Sequence, residues 1–139
     1  MMPDSKKLLG AKILIAEDEP VIREMMQEEL ESHGARVSAV TGGGHALKLF
    51  NQNPFDIVIS DVRMPQGDGI ELMTQIQATI ADPNYSGPNL NSKLFLCSAY
   101  GEQAVLAVHE LRLTGILAKP FTWDELINTL AEAWQRNAA

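Results

Sequence analysis

Five short runs of β-branched and apolar residues alternate with longer stretches of helical periodicity, and few architectures accommodate that alternation. The runs are KILIAE (Lys12 to Glu17), RVSAV (Arg36 to Val40), DIVIS (Asp56 to Ser60), KLFLCS (Lys93 to Ser98) and GILAK (Gly115 to Lys119). Strand, helix, strand in repetition is the pattern of a parallel sheet with helices packed on its faces, so the chain reads as an α/β domain. The first, third and fourth runs read as buried on both faces. Between the runs, Ile22, Met26 and Leu30 recur at helical spacing, as do Ile70, Met73, Ile76 and Ile80 around Gln77. Their methionines read as core filler. The last helix carries the strongest signals. Thr122 and Glu125 form a capping box, Phe121 and Leu126 a staple, and Leu126, Ile127, Leu130, Ala131 and Trp134 an apolar stripe ending near Asn137.

A chain of 139 residues has room for one sizeable core. Residues 11–137 read as the domain and 1–10 as a flexible N-terminal tail. The segment from Ala81 to Ser92, with two prolines, a glycine and three asparagines, reads as a long surface loop tolerated by drift. A net charge of -7 argues against direct binding to nucleic acid or to an anionic membrane, since both need a basic surface. No apolar run approaches the roughly 20 residues that span a bilayer. The lone cysteine, Cys97, lies inside an apolar strand, which excludes an internal disulfide and fits a reducing compartment. The expected location is therefore cytoplasmic.

In an open parallel sheet the functional crevice lies at the carboxyl ends of the strands. The residues there are Glu17, Asp18 and Glu19 after the first run, Asp61 after the third, Ser98 at the end of the fourth and Lys119 at the end of the fifth. Glu17, Asp18 and Asp61 at close quarters repel one another, and a divalent cation relieves that repulsion. An all-oxygen donor set open to water suits Mg²⁺, while the absence of His and Cys from these strand ends argues against zinc. A carboxylate beside such a metal can attack a phosphoryl group and become an aspartyl phosphate. Asp61 is the expected nucleophile, with Lys119 as a point charge on one phosphoryl oxygen and the Ser98 hydroxyl as donor to another.

With these residues in place the chain resembles a response-regulator receiver domain, the phosphoacceptor module of two-component signalling, over nearly its whole length. The resemblance rests on Glu17 and Asp18 after an apolar strand, DVRMPQGDG from Asp61 to Gly69, CSA with Ser98, and AKPF with Lys119 and Pro120. It implies a doubly wound five-stranded parallel sheet of flavodoxin-like topology, strand order 2-1-3-4-5. It implies Asp61 as the phosphorylation site, Asp18 as a direct Mg²⁺ ligand, Glu17 as a ligand mainly through water, and the Arg63 backbone carbonyl as a further ligand. Ser98 takes the switch-hydroxyl role and Lys119 the phosphate-pairing role, and the Lys119–Pro120 bond is expected to be cis. The implied donor is a histidine kinase or a phosphotransfer protein. Function would then be stoichiometric signalling, with self-catalysed phosphorylation and dephosphorylation rather than turnover.

Some features depart from the family. Ile116 stands three residues before Lys119, where receivers usually carry Tyr or Phe, so coupling from Ser98 would run through an aliphatic side chain. Arg63 and Tyr100, two residues beyond Asp61 and Ser98, border the path of the hydrolytic water in this family and are expected to slow dephosphorylation. Two other readings compete. A haloacid-dehalogenase-type phosphohydrolase also uses a strand-end aspartate, but needs a second aspartate where this chain has Arg63. A receiver-like interaction module that never sees phosphate would have no use for the acidic site. HELR (His109 to Arg112) resembles a kinase phosphohistidine box without its setting, and TGGGHA (Thr41 to Ala46) lacks both the lysine and the glycine spacing of nucleotide loops. The sequence leaves output partner and oligomeric state open.

Overall fold

The alternation becomes five strands and five helices in the computed structural model, which describes residues 6–64, 68–99 and 101–138. In chain order these are β1 (Lys12–Ala16), α1 (Pro20–Ser32), β2 (Arg36–Val40), α2 (Gly43–Gln52), β3 (Ile57–Asp61), α3 (Gly69–Ala81), β4 (Lys93–Ser98), α4 (Gly101–Glu110), β5 (Gly115–Ala118) and α5 (Trp123–Ala138). All strand pairs are parallel and the sheet order is β2-β1-β3-β4-β5, the flavodoxin-like order implied by the family resemblance.

Alternation along each strand divides the core in two. Ile13, Ile15, Ile57, Ile59, Phe95, Cys97 and Leu117 turn toward Met26 and Leu30 of α1 and toward Leu126, Ile127 and Leu130 of α5. Leu14, Ala16, Val58, Leu94 and Leu96 turn to the other face, against Phe50 of α2, Met73 and Ile76 of α3, and Ala104 and Ala107 of α4. Because both faces are covered, the central strands carry continuous apolar runs rather than alternating ones.

Local signals set the helix ends. Pro20 opens α1, where its missing N–H costs nothing. Asp68 caps α3, its Oδ1 accepting the Glu71 N–H at 2.8 Å. Thr122 and Glu125 exchange their two capping bonds at 3.0 and 2.9 Å.

Several details differ from the sequence reading. β1 and β5 each stop one residue early, and β3 begins and ends one residue later, so Asp61 is the last residue of its strand. Ile22 is 37% exposed, which narrows the core-facing stripe of α1 to Met26 and Leu30. Within the expected tail, described from residue 6, Lys7 and Leu8 are held against the domain. Leu8 is fully buried, its N–H donates to the His33 carbonyl at 3.0 Å, and Lys7 Nζ donates to Asn128 Oδ1 at 2.9 Å. The turn that places Leu8 crosses so close to Gly34 that a Cβ there would lie 2.9 Å from the Leu9 Cα. Gly34 also has φ +91°, so only glycine suits it.

The loop between Ala81 and Ser92 is exposed over much of its length but pinned by buried Asn89. The Asn89 Oδ1 accepts the Phe55 N–H at 2.7 Å, and its amide donates to the Phe50 and Asn53 carbonyls at 2.8 Å each. The loop therefore supplies hydrogen-bond partners to the backbone entering β3 and has a packing role that its composition did not suggest.

Candidate functional site

β1 connects by α1 to β2 on one side of it and pairs with β3 on the other, so the connections leave β1 and β3 in opposite directions and open a crevice at their carboxyl ends. Glu17 and Asp18 enter this crevice from the end of β1 and Asp61 from the end of β3. One carboxylate oxygen from each lies within 4.8 Å of the others. Lys119, just after β5, reaches the same point. Its Nζ donates to Asp61 Oδ2 at 2.9 Å and lies 3.7 Å from Glu17 Oε1.

Asp61 and Glu17 are each held by more than charge. Asp61 Oδ1 accepts the Val62 N–H at 3.0 Å, which fixes the carboxylate plane while Lys119 holds the other oxygen. Glu17 is 2% exposed, and its Oε2 accepts the Glu19 N–H at 3.1 Å. The start of α3 closes tightly on the end of β3. The Gly69 N–H donates to the Val62 carbonyl at 2.9 Å, and a side chain at Gly69 would run into the Asp61 carbonyl oxygen. Glycine is thus the residue that lets α3 begin directly against the strand that delivers Asp61.

Burial raises the Glu17 carboxyl above its ordinary value of 4.5; the Glu19 N–H opposes this, and the charge of Asp61 adds to it. Burial alone would lower Lys119, but the hydrogen bond and charge of Asp61, followed by the charge of Glu17, outweigh it and hold Lys119 above 10.5. Lys119 is thus a fixed cation at neutral pH. Burial pushes the Cys97 thiol up to about 12, so at neutral pH it is protonated and a poor nucleophile.

Three clustered carboxylates against one ammonium leave an excess of negative charge, and every ligand atom is a hard oxygen. That donor set fits Mg²⁺, which takes one or two carboxylates and retains water.

A family model described as the response regulator receiver domain matches residues 13–131. The chain belongs to this family. The receiver domain is also similar to part of the virulence sensor protein BvgS of Bordetella bronchiseptica, 32% identical over 96% of this chain but only 11% of that protein's length. Among solved structures, the receiver domain of a Francisella response regulator superposes with a TM-score of 0.79 at 26% identity, covering 92% of this chain and 99% of that one. The response regulator TrrA of Thermotoga maritima, solved in complex with Mg²⁺-BeF, gives 0.74 at 29% identity, covering 88% and 98%. The family is one of signalling phosphoacceptors, which sets this receiver apart from the phosphohydrolase reading.

The structure brings together Glu17, Asp18, Asp61 and Lys119, four of the residues singled out in the sequence. Ser98 ends β4, half-buried, its register partner being Ala118 and its carbonyl accepting the Lys119 N–H at 2.8 Å. The Lys119–Pro120 peptide is cis. Ile116 pairs with Leu96 and is partly buried on the face covered by α2, α3 and α4. Arg63 is exposed two residues past Asp61, and Tyr100 lies outside the described residues.

One neighbour of the site was missed. Arg23, one turn into α1, folds its guanidinium back so that Nη1 donates to the Glu17 carbonyl at 2.9 Å and reaches the Asp18 carbonyl at 3.5 Å. Its position four residues after Glu19, on the first turn of a helix opened by Pro20, was the available signal.

Proposed function

We propose that this receiver accepts a phosphoryl group on Asp61 from a phosphohistidine donor and uses the modified state to change partner binding. The observation that carries this reading is the Asp61 carboxylate, held 2.9 Å from Lys119 Nζ and beside the carboxylates of Glu17 and Asp18. An Asp61 carboxylate oxygen attacks phosphorus, the P–N bond to the donor imidazole breaks, and the electron pair stays with the imidazole, which takes a proton from water. Lys119 exchanges its contact with Asp61 for one with a phosphoryl oxygen, and the Ser98 hydroxyl donates to another.

Asp18 and Asp61, with Glu17 through water and the Arg63 carbonyl, would hold Mg²⁺. When bound, the ion supplies positive charge against the phosphoryl oxygens. Dephosphorylation is self-catalysed hydrolysis: water attacks phosphorus and gives a proton to solvent, and the P–O bond to Asp61 breaks with its electron pair left on the carboxylate. Inorganic phosphate departs, and exposed Arg63 borders the approach. Ile116 takes the place of the usual aromatic in the switch that begins at Ser98.

The donor is a histidine kinase or a phosphotransfer protein, docking over an apolar rim beside the site. Val21, Ile22 and Met25 on α1 are 61, 37 and 45% exposed. A cavity of about 400 Å³ between α1 and the start of α5 is lined by Ile22, Met25, Lys119, Phe121 and Trp123. Chemical mapping tests the acceptor assignment. After incubation with acetyl phosphate, borohydride reduction should convert residue 61, and no other aspartate, to homoserine. Conversion at Asp18 or at Asp56 would overturn the assignment.

A further inference from the structure

Three consecutive carbonyl oxygens, those of Glu17, Asp18 and Glu19, converge on one residue. The Arg23 N–H donates to the Glu19 carbonyl at 2.9 Å, as the first turn of α1 requires. Its side chain takes the other two, with Nη1 at 2.9 Å from the Glu17 carbonyl and 3.5 Å from that of Asp18. The contacts of this guanidinium are to the backbone, and the Glu17 carboxylate is tied in turn to the Glu19 N–H. The acidic loop is thus cross-braced. The carbonyls of Glu17 and Asp18 turn toward Arg23 of α1 and their carboxylates toward Asp61.

We infer that Arg23 is a positioning residue for cation binding, holding the Glu17–Asp18 backbone so that both carboxylates meet Asp61. The inference rests on the reading of Glu17, Asp18 and Asp61 as a Mg²⁺ site. Groups that orient metal ligands through hydrogen bonds typically change metal affinity by about 10- to 100-fold when removed.

Electrostatics and positioning predict opposite signs. Arg23 is a permanent positive charge near a cation site, so by charge alone its removal should tighten Mg²⁺ binding. If its work is to hold the loop, removal should weaken binding. A merely structural role would lower the melting temperature and leave the affinity of the folded protein where it was.

The test is calorimetric titration of the unphosphorylated chain with Mg²⁺, well below the melting temperature, for wild type, Arg23→Met and Arg23→Lys. The expected result is a dissociation constant about tenfold higher in Arg23→Met, with Arg23→Lys, which keeps the charge and one donor group, between the two. Equal or tighter binding in Arg23→Met overturns the inference. If Arg23→Met does not fold by circular dichroism, Arg23→Lys decides. Weaker binding with unchanged melting in chelator supports the positioning role, and unchanged binding overturns it. A wild type that binds no Mg²⁺ refutes the cation reading itself, before Arg23 is touched.

Discussion

Glu17 is almost completely buried, yet its carboxylate faces Asp61 and Asp18 at the end of β1. Its acidity is weakened chiefly by burial and further by the negative charge of Asp61. A carboxyl whose folded value lies above its unfolded value of about 4.5 costs nothing while protonated in both states; the cost to stability grows as pH rises past the unfolded value and is complete above the folded one. In Mg²⁺-free buffer at pH 7, above the unfolded value, that cost is present. Glu17→Gln removes the charge while its amide oxygen still accepts the Glu19 N–H. It should therefore stabilise the apo protein by on the order of 1 kcal/mol, roughly 4 °C in melting temperature. As pH falls through the raised value toward 4.5, wild type takes up the proton and the two melting curves should converge. A Glu17→Gln protein less stable than wild type at pH 7 would refute this account of the residue.

At the scale of elements, the start of α3 closes tightly on the end of β3. Gly69 opens α3 against the Asp61 carbonyl, and that carbonyl together with the Ser60 Oγ leaves a methyl group no room. Gly69→Ala should cost about 2–3 kcal/mol, seen as a lower urea midpoint at unchanged slope. A loss below roughly 0.5 kcal/mol would mean the junction is looser than it looks.

The five strands were legible because each central one is buried on both faces and so carries an unbroken apolar run. The strand-end carboxylates and Lys119 were legible for a related reason: a parallel sheet gathers whatever ends its strands. Leu8, Asn89 and Arg23 were not legible. Leu8 lies in a segment with no periodicity, and it is buried by the turn before β1. Asn89 sits in a polar loop, where only the distant backbone of Phe50, Asn53 and Phe55 shows its purpose. Arg23 looks like any polar residue on the exposed side of a helix until the fold shows three carbonyls turned toward it.

For the whole molecule, the topology puts an acidic crevice and an apolar rim side by side. The rim on α1 and the start of α5 offers a protein donor a surface that a small phosphodonor does not need. Met25→Glu, 45% exposed in wild type, should slow phosphotransfer from a phosphohistidine protein about tenfold or more and leave the rate with acetyl phosphate unchanged. Equal slowing of both would place the effect in the site rather than in docking.

The claim that joins these scales is that Asp61 is a cation-assisted phosphoacceptor. It is tested most directly by intact mass after incubation with acetyl phosphate, with and without Mg²⁺, on wild type and Asp61→Asn. The account predicts the gain of a single phosphoryl group in wild type, dependent on Mg²⁺ and absent from Asp61→Asn. An equal gain without Mg²⁺, or the same gain in Asp61→Asn, would contradict it.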